Sequence, residues 1–294
     1  MSSLSRSRRD DPDALEISPS RPRNFIGTLL TVLAFSLLGL ALLPLGLVIV
    51  YVIIKGAGRF NLSLFTELPP AAFQEGGGIA NAIVGTLILV GIAAVISIPI
   101  GVLAAVYLSE FAPKRVARWI RFATNVLSGV PSIIVGIFAY GAVVLRTDGF
   151  SAFAGGFALA VLMLPIIVRT TDEALQIVPQ EVRWASVGVG ASNFHTVLKI
   201  VLPAALPAIV TGTTLAIARA AGETAPLIFT ALFTQFWPNG LFEPIPSLSV
   251  LIYNFATVPY ESQKELAWAA SLILVLMILL ASIISRLATR KSVY

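Results

Sequence analysis

Cysteine is absent from the chain, and histidine occurs once, at His195. The first absence excludes disulfides, thiolate metal ligands and a cysteine nucleophile. The second excludes a histidine-rich metal site and leaves no Ser/His/Asp arrangement to support catalysis. Charge is scarce, at 12% of 294 residues, against about 25% in a soluble domain. That rules out a water-soluble globular enzyme. Apolar composition rules out disorder over most of the chain. No Gly-x-x-x-x-Gly-Lys-[Ser/Thr] occurs, so the chain has no P-loop for ATP. The glycines at Val187–Ser192 follow no strand, so they form no dinucleotide fingerprint.

Hydrophobic residues make up 57% of the chain, and its mean hydropathy is +0.90. A bilayer core takes about 20 apolar residues per helix. Uncharged runs of that size occur at Phe25–Ile54, Ile79–Ser109, Phe122–Leu145, Gly149–Val168, Ile200–Ala218 and Leu266–Ser285. They predict an all-α polytopic membrane protein with six transmembrane helices. A seventh run, Thr224–Phe242, is weakened as a span by Pro226, Pro238 and Gly240.

The organisation follows from these runs. Residues 1–24 read as a disordered cytoplasmic tail and 25–54 as the first span. The apolar run is too long for a cleaved secretory signal. Residues 55–78 read as an external loop and 79–285 as a core with five spans. Residues 286–294 read as a second cytoplasmic tail. With both tails inside, Lys114, Arg115, Arg118, Arg121, Arg183 and Arg286 all lie inside. Only Lys55, Arg59, Arg146 and Lys264 lie outside. This is the bias that sets orientation in cytoplasmic membranes, and it accounts for the net charge of +5 without a nucleic-acid partner.

The inside segment 170–199 is long but weakly charged. Trp184, Val187, Ala191, Phe194, Leu198 and Val201 recur at spacings of three and four. Gly188 and Gly190 interrupt this pattern. A short helix, a glycine turn and a second helix capped by Ser192 are expected. The apolar face needs a cover, either its own bundle, the lipid interface or a soluble partner.

Two Arg/Glu pairs lie four residues apart, Arg169/Glu173 and Arg219/Glu223, so each shares a helix face. Charges inside a span are costly and face a partner charge or a water-filled path. A guanidinium offers a planar fork that suits an oxyanion. A carboxylate one turn away neutralises it when no anion is present. Plainer roles stay open. Arg169 as a snorkelling end residue, Glu173 as a solvated carboxylate and Arg219/Glu223 as a structural pair all fit the spacing. Pro131, Gly136 and Gly141 in the third span are candidate bend points.

Two segments carry a resemblance to a known family. The first is Val178-Pro179 with Trp184-Ala185-Ser186-Val187-Gly188-Val189-Gly190-Ala191-Ser192, followed by Ile200–Pro207. It resembles the EAA loop of bacterial ABC-importer permeases, with Trp184 at the consensus Glu and Ser186 at the second Ala. The second is Ile217-Ala218-Arg219-Ala220-Ala221-Gly222-Glu223-Thr224-Ala225-Pro226, together with Val168–Glu173. It resembles the hallmark of the PstA family, inner-membrane permease subunits of phosphate-specific ABC importers.

The resemblance implies a type I importer permease (MetI-like) fold and passage of inorganic phosphate along Arg169, Glu173, Arg219 and Glu223. It implies that Trp184, Ala185, Ser186, Gly190 and Ala191 couple the chain to an ATPase. The implied partners are a PstC-like permease, two PstB-like ATPases and a PstS-like binding protein. ATP and Mg would be held by the ATPase, with no cofactor or metal in this chain. Two alternatives stay open. One is an ABC permease for another oxyanion, molybdate or sulfate. The other is a stand-alone secondary transporter, which would show internal repeats.

Overall fold

A computed structural model describes residues 22–71 and 73–290. The expected tail 1–24 therefore lies outside the described residues, except for Pro22–Asn24. Those three residues open the first helix. The chain divides into two units, before and after the Tyr51/Val52 boundary.

The first unit carries most of α1 (Pro22–Ala57), which starts with Pro at the position where a missing N–H costs nothing. Its segment Ile26–Ala57 is long and apolar enough to span a bilayer. Apolar residues lie on every side of it, as lipid contact requires.

The second unit contains the remaining elements. A short α2 (Ser63–Thr66) is followed by α3 (Ala80–Val106), which ends in a π-helical turn at Tyr107–Phe111. Next come α4 (Lys114–Ser128), α5 (Ser132–Ala139) with a π-turn to Val144, and α6 (Ala152–Ile177). The segment α7 (Gln180–Gly188) and α8 (Asn193–Thr196) leads through a π-turn at Val197–Val201 into α9 (Leu202–Gly222). The chain closes with α10 (Ala225–Ile228), α11 (Leu248–Thr257) and α12 (Glu261–Arg290).

Residues 79–106 and 152–177 pack side by side in parallel. Leu89 meets Gly155, Ser97 Oγ meets Met163 Sδ at 3.8 Å, and Gly101 meets Ile167. Each pair is 66 residues apart. A Cβ on Gly101 would stand 2.8 Å from Ile167 Cγ2, so only glycine permits this approach. By contrast α9 runs antiparallel to α6, with Gly212 on Thr170 and Ala205 beside Ala174 and Leu175. Again α12 runs antiparallel to α9, through Thr214 Oγ1 to Ser285 Oγ at 2.6 Å.

The expected third span, Phe122–Leu145, is not one helix. The chain bends by 100° between α4 and α5. Pro131 has no N–H to continue the helix, and its ring pushes Val130 out of the helical region. Nonetheless the pair crosses the bundle. Arg121 bonds to Asp172 at one level, and Val143 and Val144 pack on Ala154 at the other. Those levels are about 27 Å apart along α6, close to a bilayer core. The five crossings of the second unit therefore alternate.

The seventh run, Thr224–Phe242, forms only the short α10 and irregular chain. Its continuation caps α6. Phe153 N donates to Leu241 O and Ala152 N to Glu243 O, which satisfies orphan donors of the first turn. The stretch between this run and α12 contains α11, whose Leu248, Val250, Leu251 and Phe255 are buried. The expected tail 286–294 begins as helix, since α12 runs to Arg290.

Candidate functional site

The end of the bundle that carries α7 also carries most of the basic side chains. Lys114, Arg115, Arg118, Arg121, Arg183, Lys199 and Arg286 belong to the turns at this end. At the opposite end are Arg146 and the Arg59–Glu265 ion pair.

One turn of α6 faces two ways. Asp172 is buried and accepts from Arg121 Nε at 2.7 Å, Arg121 Nη2 at 2.9 Å and Gln176 Nε2 at 2.9 Å. Glu173, the next residue, points elsewhere because successive helical residues turn by about 100°. It accepts from Arg169 Nε at 2.9 Å, and both side chains are more than half exposed, at 59% and 58%. Arg121, Thr124, Asn125, Arg169, Asp172, Glu173 and Gln176 line a cleft of about 410 Å³.

The second pair sits elsewhere. Arg219 Nε lies 3.5 Å from Glu223 Oε1. Arg219 is exposed, whereas Glu223 is largely buried where α9 ends. The Glu223 carbonyl accepts from Ser249 Oγ at 2.9 Å, which ties α9 to α11. From the Gly212–Thr170 contact, Arg219 lies about 10 Å further along α9. It is at the level where Ala216 and Ala220 pack near Ala160 and Met163. The four residues are therefore arranged at two heights, and Arg219 does not line the cleft.

The helix–turn–helix expected in 170–199 is present. Gly190 has φ +93°, a left-handed conformation that ends α7. Ser192 Oγ accepts from His195 N at 3.2 Å and caps α8. Trp184 is 69% exposed, and Ala185, Val187 and Phe194 are exposed with it. Ala191 is half-buried. Ser186 is buried, and its hydroxyl meets Thr196 Oγ1 at 2.9 Å, so it joins α7 to α8 rather than facing outward. Val201 is fully buried, so the exposed apolar face stops before it.

Sequence reading missed three contributors. Arg121 and Arg183 read only as inside charges, yet each holds a carboxylate far along the chain. Arg183 bonds to Glu110 and donates from Nη2 to Leu175 O at 2.7 Å. A signal for Glu110 did exist. It is the single carboxylate between Glu75 and Asp148, placed where a long apolar run stops.

Alternating apolar helices, with an exposed helix–turn–helix at one end, define the class of a multi-pass membrane protein. Residues 97–293 match the binding-protein-dependent transport system inner membrane component family. The fold resembles that of the inward-facing MetNI methionine ABC transporter, with a TM-score of 0.63 at 20% identity, covering 74% of this chain and 96% of that one. It also resembles a chain of a bacterial alginate ABC transporter, with a TM-score of 0.65 at 13% identity, covering 93% and 98%. Those likenesses establish an ABC importer permease fold. The phosphate transport system permease protein PstA of Yersinia pestis is 43% identical over 238 residues, 81% of each chain. PstA 1 of Mycobacterium tuberculosis H37Rv is 37% identical over 282 residues, 92% of this chain and 90% of that one. The chain belongs to the PstA family, and it is a multi-pass inner-membrane protein.

Proposed function

We propose that this chain is the permease subunit of an ATP-driven importer that passes inorganic phosphate through the inner membrane. The observation that carries the proposal is the pair of Arg–Glu ion pairs at two heights, both with an exposed guanidinium. With both tails cytoplasmic, the α7 end faces inward. An anion moving in meets Arg219 first and Arg169 about 10 Å later.

Each guanidinium exchanges its carboxylate for a phosphate oxygen and then takes the carboxylate back. The exchange is cheap at Arg169–Glu173, because solvent screens an exposed pair and leaves it little net stability. Phosphate brings more acceptor oxygens and more charge, so it competes well for the fork. The carboxylate left behind repels the anion onward. No covalent step is involved, and the chain acts as a permease rather than an enzyme. It takes no cofactor of its own.

Trp184, Ala185 and Val187 on exposed α7 present the surface that an ATPase subunit covers. ATP and Mg belong to that subunit, which is PstB-like by the family reading. A PstC-like permease completes the pathway, and a PstS-like protein delivers phosphate from outside. The family match to binding-protein-dependent systems supports this set over a stand-alone transporter.

Labelled-phosphate uptake tests the reading in cells lacking their own phosphate permeases. The chain is co-expressed with its neighbouring subunits and compared with Arg219→Gln, Arg169→Gln and an ATPase-dead partner. Uptake by the intact set and its loss in all three variants is the expected result. Full uptake in both arginine variants, with normal insertion, sinks the pathway. Competition by molybdate or sulfate at equal concentration sinks the choice of cargo.

A further inference from the structure

We propose that Arg183 and Glu110 form a buried clamp that transmits motion of α7 to the paired helices α3 and α6, so that ATP use drives transport. The inference rests on the reading of α7 as the ATPase-docking helix. It goes beyond that reading by assigning the connection from the docked face into the bundle.

Outside the chain itself, α7 has few attachments. Trp184, Val187 and Val189 are exposed. At its far end, Ser186 bonds to Thr196 of α8. Among the described residues, the other side-chain hydrogen bonds from α7 are those of Arg183, placed one residue before Trp184. Its guanidinium reaches Glu110 at the end of α3 and the Leu175 carbonyl in the last turn of α6. Leu175 O also accepts from Val178 N at 3.3 Å where α6 ends, and Arg183 takes its second lone pair. One side chain thus holds the two helices that pack as a parallel pair.

Burial makes this grip stiff. The side chains are 14% and 9% exposed for Arg183 and Glu110. A buried ion pair with one member removed leaves an uncompensated charge, whereas replacing both members by apolar groups often preserves stability. The fork is planar and binds two acceptors at once, so it fixes direction as well as distance. Arg169 and Glu173 sit on α6 within two turns of Leu175. A displacement of α7 therefore reaches the helix that lines the cleft without passing through the Val178–Pro179 link.

The clamp separates from a merely structural pair by the ratio of phosphate imported to ATP hydrolysed. The complex with its ATPase, partner permease and binding protein is reconstituted in proteoliposomes. Three variants are compared with wild type: Glu110→Gln, Glu110→Asp and the double variant Glu110→Gln/Arg183→Met. The double variant keeps the fold by removing both charges together. It is expected to retain its ATPase, hydrolyse ATP within about twofold of wild type, and import at least tenfold less phosphate per ATP. The single Glu110→Asp is expected to recover at least half of the ratio. Wild-type phosphate per ATP in the double variant overturns the clamp. So does loss of the ATPase from that complex, because the pair would then serve docking alone. Val187→Asp on the outer face tests the docking reading separately. An ATPase that still co-purifies with Val187→Asp sinks that reading, whatever the Glu110 variants do.

Discussion

Two ion pairs share one turn of α6 and differ in almost every physical respect. Asp172 sits at the inner wall of the cleft, only 8% exposed, where Arg121 and Gln176 hold it with three hydrogen bonds. Glu173 faces the cleft, where Arg169 holds it by one bond in contact with solvent. The first pair joins residues 51 positions apart, and loss of Arg121 would leave the buried Asp172 without its counter-charge. The second joins residues one turn apart and can open with almost no loss. The same two residue types therefore serve as a lock and as a latch. Burial, rather than residue identity, decides which.

The sharpest way to break that contrast is to unmake the lock. Asp172→Ala should lower stability by about 2 kcal/mol, the loss of hydrogen bonds to a charged group, because the Arg121 left behind is 42% exposed and rehydrates. In a thermal melt of the purified complex that is a fall of roughly 4–8 °C. A shift under 2 °C would place Asp172 with the latches.

Next comes packing on the neighbouring seam. A methyl at position 212 overlaps Thr170, so Gly212→Ala should cost about 1–3 kcal/mol. Gly212→Ala/Thr170→Ala removes Thr170 Oγ1, the atom nearest the new methyl, and should recover part of it. The same melt checks both, and an unchanged single variant removes the close α6–α9 contact from the account.

Ser192→Ala should cost about 1 kcal/mol, confined to the elbow between α7 and α8. Hydrogen exchange at His195 N should accelerate while the bundle amides keep their protection. Protection lost across the bundle would contradict a local cap.

The smallest stability effect belongs to the latch. Arg169→Gln should leave the melting temperature essentially unchanged while phosphate uptake falls at least tenfold. A large destabilisation with intact uptake would reverse the contrast between the two pairs.

Sequence patterning makes some of this legible and hides the rest for physical reasons. Long uncharged runs mark the spans because every backbone group in lipid must be satisfied within a helix. Arg169/Glu173 and Arg219/Glu223 are readable because i,i+4 spacing is a local fact. Arg121–Asp172 and Arg183–Glu110 are not, since no local rule joins residues 51 or 73 positions apart. Phe122–Leu145 reads as one span because hydropathy ignores direction. Gly129-Val130-Pro131 carries the signal for the bend. The reach of α12 to Arg290 escapes notice because basic residues at a helix end look like tail. Ser186 looks like part of the outward-facing motif, and only the position of Thr196 shows that it faces in.

The constant register between α3 and α6 has a mechanical meaning. Three contacts spaced along their length, each closed to small or interlocked groups, leave the two helices no room to slide or splay. They act as one beam. A nudge at Glu110 arrives at Leu89, some 30 Å away, with the same size and direction. Flexing must then be confined to the beam's borders, where apolar grooves such as the one of about 610 Å³ between α3, α9 and α12 leave the neighbouring helices free to tilt.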